Sequence, residues 1–102
     1  MPSFENAFST LALGRKISRD ELIRAIRFFI SAEYEAVQMY TQIAEATEDE
    51  IAKAVLLDIA EEEIVHAGEF LRLLKEIAED EWKKYEEGFE EVEEMLERMK
   101  KG

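Results

Sequence analysis

Apolar residues recur at steps of three and four along most of the chain. Four glycines and one proline in 102 residues rarely interrupt them. That period is the mark of α-helix, so the sequence predicts an all-α protein. Three helices are readable. The first opens after Ser18, where "SRDE" is a capping box: the Ser18 hydroxyl accepts from the first-turn amides and Glu21 returns the bond. Its pattern runs to about Ala46. "TEDE" offers a second capping box, Thr47 with Glu50, and predicts a second helix from there to about Ile77. Asp80 is the candidate cap of a third helix. That helix carries Trp82, Tyr85, Phe89, Val92, Leu96 and Met99 at alternating steps of three and four. Gly88 falls inside it and marks a point where it can bend or break. Residues 1–17 lack a pattern and read as an irregular arm, which leaves 18–102 as one helical domain.

The first two helices are each nearly 30 residues, roughly 40 Å at the usual rise. The connection between them is very short, so they should form an antiparallel hairpin. Two long helices cannot cover each other's apolar faces. The simplest completion is a second copy of the hairpin, giving a four-helix bundle with twofold symmetry.

Composition narrows the function classes. At 47% apolar residues the chain is expected to fold. It has no cysteine, which excludes disulfides, thiolate metal sites and cysteine nucleophiles. Its apolar runs are too short for a membrane span. The start "MPSFENAFSTLALGRK" is a poor secretory signal, because an acid interrupts a short apolar run, so a cytoplasmic location is expected. A formal net charge of −12 should repel nucleic acid and anionic membrane and attract cations. Most of that charge reads as a solvated surface.

The helical register singles out a few polar positions. Steps of seven along the second helix give Ala52, Ile59, His66 and Leu73 in one row. The complementary row is Leu56, Glu63, Phe70 and Ile77. These are bundle seam positions, and only Glu63 and His66 break their apolar character. Glu62 is also in reach of His66, but it shares its row with Val55, Glu69 and Glu76, a mostly solvated face. On the first helix, Glu33 is flanked at three and four residues by Phe29, Ile30, Ala36 and Val37, so it is the carboxylate expected to be buried. Glu35 has more mixed neighbours.

Burying an unpaired carboxylate costs several kcal/mol or forces its neutralisation. A metal ion removes that cost. Counted from the turn, Glu33, Glu63 and His66 fall at similar heights along the hairpin. One hairpin therefore offers a Glu plus a Glu-x-x-His, and a twofold dimer offers two of each. That is the ligand set of ferritin-like di-iron and di-manganese bundles. Oxygen-rich ligation with one imidazole per metal suits iron or manganese better than a closed zinc site, with Mn, Ca or Zn as substitutes for iron. The plainer alternatives are a buried His66–Glu63 hydrogen bond and an ion pair from Glu33 to Lys53 or Arg72. Tyr40 is either a hydrogen-bonding or redox neighbour of the metals or simple core packing. The aromatic and methionine stripe of the third helix reads as packing or subunit contact.

"SAEYEAVQMY" and "DIAEEEIVHAGEFLRLL" resemble the encapsulated ferritins, short ferritin-like proteins of encapsulin nanocompartments. The likeness spans about residues 19–98 and includes "GFEEVEEM". Rubrerythrins and bacterioferritins share the motif halves but carry the motif twice. The resemblance implies a ferritin-like hairpin with a third C-terminal helix, the four-helix bundle being completed by dimerisation. It implies that Glu33, Glu63 and His66 are iron ligands of a di-iron ferroxidase centre shared by two chains, with Tyr40 beside it and Glu35 guiding iron inward. The position of Ala32 can be acidic in relatives. The resemblance further implies a decameric ring and delivery of Fe(III) to an encapsulin shell for storage or detoxification. The end "MLERMKKG" does not read as a shell-docking peptide, so the shell partner follows from the resemblance alone.

The function expected is therefore ferroxidase: oxidation of Fe(II) to Fe(III) by O2 or H2O2, without nucleic-acid or membrane partners. The alternatives are a metal-stapled oligomeric scaffold and a di-iron oxygenase or peroxidase-like enzyme.

Overall fold

The computed structural model describes residues 14–102, so most of the arm expected over residues 1–17 lies outside the described residues. Three helices follow in order: α1 (Arg19–Ala46), α2 (Glu50–Ile77) and α3 (Glu79–Lys101). No strand occurs among the described residues.

The start of α1 is the capping box expected from "SRDE". Ser18 Oγ accepts from the Glu21 amide at 3.2 Å, and the Ser18 amide donates to the Glu21 carboxylate at 2.8 Å. Arg15 forks onto the same carboxylate with both contacts at 2.8 Å. The Arg15 bonds, followed by the Ser18 amide, draw the Glu21 carboxyl down to about 2.

Two of the expected caps are different. Thr47 does not cap α2. Its amide donates to the Ile43 carbonyl at 3.0 Å and closes α1, while its hydroxyl accepts from the Asp49 amide at 3.1 Å. The α2 cap is Asp49, whose carboxylate accepts from the Ala52 amide at 2.8 Å. Asp80 is likewise not a cap. Helix α3 starts at Glu79, two residues earlier than that cap would set it, and Ala78 alone joins it to α2. At Ala78 the backbone turns to φ −130°, ψ 63°. Its amide still donates to the Leu74 carbonyl, and its carbonyl already accepts from the Trp82 amide. The α2 carbonyl left open at Ile77 is taken by the Arg19 guanidinium from the start of α1. Gly88 does not interrupt α3, which runs unbroken to Lys101.

Helices α1 and α2 pack along alanine- and isoleucine-lined seams. Ala60, Ala67 and Leu74, spaced by seven, are the buried residues of α2, and Ile26, Ile30 and Ala44 are those of α1. The core cluster of Ile26, Ile30, Leu74 and Ala78 sits at the joint with α3. Phe70, Leu71, Ile77 and Tyr85 pack against it. Arg27 on α1 grips Glu81 on α3, which also accepts from the Tyr85 hydroxyl.

The described residues form a slab of 67 × 46 × 15 Å, barely more than one helix deep. Stable domains bury apolar faces between at least two layers. Here one layer leaves much of its apolar surface bare. Leu22 and Phe29 on α1 and Val55 and Leu73 on α2 are exposed, and they share the flank that carries Glu33 and His66.

Candidate metal centre

Glu33, Glu63 and His66 converge midway along the hairpin. Each offers one ligand-type atom, and the three atoms lie within 4.8 Å of one another. His66 Nδ1 stands 3.8 Å from Glu33 Oε2 and 3.7 Å from Glu63 Oε2. Both gaps are too long for hydrogen bonds. They are the gaps expected around an ion, since two atoms each about 2.1 Å from one cation sit about 3–4 Å apart.

Burial follows the side-chain register. The Glu33 and Glu63 side chains keep 18% and 19% of their accessible surface, so both carboxylates are largely withdrawn from water. Glu62 is exposed, as its solvated row suggested. Glu33 Oε2 is fully buried and has no hydrogen-bond partner. Among the described residues no lysine or arginine lies within 4 Å of Glu33 or Glu63, so the expected alternative of an ion pair with Lys53 or Arg72 does not form. Arg72 pairs with Glu76 instead. A buried, unpartnered carboxylate oxygen beside a second carboxylate and an imidazole is a donor set that fits a divalent metal ion.

His66 is less enclosed than its seam position suggested. Its side chain is 48% exposed, because it points along the flank that no second layer covers. A pocket of about 340 Å³ opens there, lined by Glu33, His66, Glu69, Phe70 and Leu73. The Phe29 and Phe70 rings, 5.4 Å apart, form one apolar wall beside it. Glu69, which reads from the sequence as a solvated acid or at most a cation-guiding group, is exposed and lines this pocket one helical turn beyond His66. Tyr40 is half-buried on the same flank of α1, about 10 Å along the axis from Glu33, and stands outside the three-residue cluster. Glu35 is exposed on a different side of α1.

A larger depression of about 550 Å³ lies at the joint of α2 and α3, lined by Arg19, Asp20, Glu79 and Glu81 among others. Arg27 holds the Glu81 carboxyl below its ordinary range by hydrogen bonding. Burial, followed by the neighbouring Glu81, pushes the Tyr85 phenol up. These groups serve one another as structural partners and do not gather into a ligand set.

Comparison with known proteins bears on this geometry. The Rubrerythrin family model matches residues 25–101, a span that contains Glu33, Glu63 and His66. The ferritin-like-encapsulin shell fusion protein of Pyrococcus furiosus is 40% identical over 78 residues, covering 76% of this chain and 23% of that protein. The encapsulin nanocompartment cargo protein EncC of Myxococcus xanthus is 41% identical over 69 residues, 68% of this chain and 52% of that protein. The chain thus spans at most about half the length of these two relatives. The crystal structure of the encapsulated ferritin domain from Pyrococcus furiosus superposes with a TM-score of 0.74 at 39% identity. That match covers 78% of this chain and 82% of the other.

Proposed function

This chain belongs to the rubrerythrin family of ferritin-like domains, and we propose that it is a ferroxidase whose di-iron centre forms between two copies. The single observation that carries the reading is the buried Glu33 Oε2, unpartnered beside Glu63 and His66 on an uncovered apolar flank. Closing a second copy onto that flank by a twofold axis completes a four-helix bundle. It also brings four carboxylates and two imidazoles together. Four negative charges call for two divalent cations, which is the charge balance of a two-metal site.

Each side chain has a separate task. Glu33 and Glu63 hold Fe(II) and keep the resulting Fe(III) until release. His66 would hold the same ions through its imidazole. Glu69 at the pocket mouth adds negative charge that draws cations inward. Tyr40, one heptad from Glu33, would support the centre by hydrogen bonding from outside the ligand cluster. Iron supplies the redox chemistry, giving electrons to dioxygen or hydrogen peroxide. The protein supplies geometry and limits water.

The relatives named as an encapsulin fusion and an encapsulin cargo support a place for this chain inside such a compartment. There the Fe(III) product would be handed to a shell, and the chain would assemble as a ring of dimers, in the manner of a decamer.

Aerobic Fe(II) oxidation, followed by the ultraviolet absorbance of the Fe(III) product, tests the activity. The wild-type chain should oxidise Fe(II) faster than buffer, and Glu63→Ala or His66→Ala should abolish the excess rate. Oxidation at the buffer rate, or equal rates in the variants, would overturn the proposal.

A further inference from the structure

We propose that Ala78 is a two-state hinge, where α2 and α3 convert between the observed bend and one continuous helix from Glu50 to Lys101, and that Arg19 and Arg27 of α1 are the latch that holds the bend.

The local sequence does not demand the break. The run "LLKEIAEDEW", Leu73 to Trp82, contains neither glycine nor proline. Alanine is the strongest helix former, and α3 starts without a side-chain cap. Only Ala78 leaves helical geometry. Its φ of −130° and ψ of 63° lie about 65° and about 105° from the helical values. Helical bonding reaches the joint from both sides. The Ala78 amide donates to the Leu74 carbonyl at 2.8 Å, and its carbonyl accepts from the Trp82 amide at 3.0 Å. Between these, among the described residues, no backbone bond joins the Glu79, Asp80 or Glu81 amide to α2. In a continuous helix those amides would donate to the Lys75, Glu76 and Ile77 carbonyls. Returning two torsions of one residue to helical values restores the whole ladder.

Contacts with α1 oppose that return. Arg19 holds the Ile77 carbonyl, the acceptor that the Glu81 amide would take. Arg27 holds the Glu81 carboxylate, which also accepts from the Tyr85 hydroxyl. Tyr85 packs against the cluster of Ile26, Ile30, Leu74 and Ala78. In a continuous helix Tyr85 would stand about 12 Å beyond Ile77, past the start of α1 that Arg19 sets there. The Lys75 ammonium lies 5.9 Å from the Trp82 ring centroid across the joint, whereas a continuous helix would set the two residues about 10 Å apart along its axis. The acids Glu79, Asp80 and Glu81 also favour a helix start at this point. Local helix propensity and tertiary contacts thus pull Ala78 in opposite directions.

The joint governs more than the direction of a helix about 34 Å long. Phe70 packs against the same cluster as Tyr85, and it lines the pocket beside Glu33 and His66. The latch contacts therefore back one wall of that pocket. The hinge itself does not depend on the metal reading; only its coupling to the pocket rests on it.

The chain has no cysteine, so Asp58→Cys and Glu90→Cys place a pair of spin labels at two exposed positions. Pulsed electron resonance then reads their separation in the full chain, diluted with unlabelled chain so that only distances within one copy count. A continuous helix sets the two sites about 48 Å apart, and the bend brings them closer. The labelled chain with its latch intact should give the shorter distance. Arg19→Ala combined with Arg27→Ala should raise the fraction near 48 Å by about tenfold or more, and Glu81→Gln should raise it less. Adding Glu79→Pro should remove that fraction, because proline suits the first position of α3 and not the interior of a continuous helix. A distribution that the double variant leaves unmoved, or a long fraction that persists with Glu79→Pro, would overturn the hinge and leave the metal site untouched.

Discussion

Glu33→Gln keeps the shape of the side chain and removes one of two crowded negative charges. The carboxylates of Glu33 and Glu63 keep only 18% and 19% of their surface, and the cluster atoms lie within 4.8 Å of one another. Two unit charges at that separation repel by about 1 kcal/mol at the dielectric of water, and by about 3.5 kcal/mol at an effective dielectric near 20. The metal-free protein should therefore gain on the order of 1–3 kcal/mol when the charge goes. For a domain of this size that raises the melting midpoint by several degrees. A bound cation has the opposite ledger. At about one hundred times its dissociation constant it stabilises the wild type by about 2.7 kcal/mol, and the variant, lacking a ligand, should lose most of that. The assay is thermal melting by circular dichroism at pH 8, once in chelator and once in saturating Mn(II), which binds without turnover. The two curves should cross, with the variant melting above the wild type in chelator and below it in Mn(II). A variant that melts lower in chelator and gains as much from Mn(II) would refute the reasoning, because Glu33 would then be a satisfied structural acid.

Three further outcomes follow from the packing. Leu74 is 1% exposed in the core cluster, so Leu74→Ala should cost about 2–5 kcal/mol in urea unfolding. Gly68 lies inside α2 with nothing within 4 Å of an added Cβ, so Gly68→Ala should stabilise the chain by roughly 0.5–1 kcal/mol in the same assay. Arg27 holds the folded-state Glu81 carboxyl below its ordinary range. That contribution is present above the ordinary carboxylate range and is lost as pH falls through the lowered value. The stability gap between wild type and Glu81→Gln should be largest near neutral pH and shrink in acid.

Helix boundaries were legible wherever one local motif decided them. Ser18 with Glu21 is a single unambiguous cap, and it fixed the start of α1. Thr47 and Asp49 are both good caps two residues apart. Thr47 was already committed to closing α1 through its amide, so Asp49 takes the role. No local residue announces the joint at Ala78. It is held by Arg19, fifty-eight residues away, and by the Arg27–Glu81–Tyr85 cluster, and contacts of that span leave no periodic trace. Gly88 does not break α3, because the cost of one glycine is small in a long helix with good helix formers on both sides.

The candidate site was legible for a different reason. An apolar stripe interrupted by Glu33, Glu63 and His66 marks three positions whose burial needs compensation, and the fold brings those three together. The exposure of His66 was not legible, because it depends on which flank of the slab stays open.

Anomalous diffraction from a crystal of the full chain soaked in iron tests the shared centre most directly. Two iron peaks related by a twofold axis, ringed by Glu33, Glu63 and His66 from both copies, are the result expected. A single peak held within one protomer, or no peak at these residues, would contradict it.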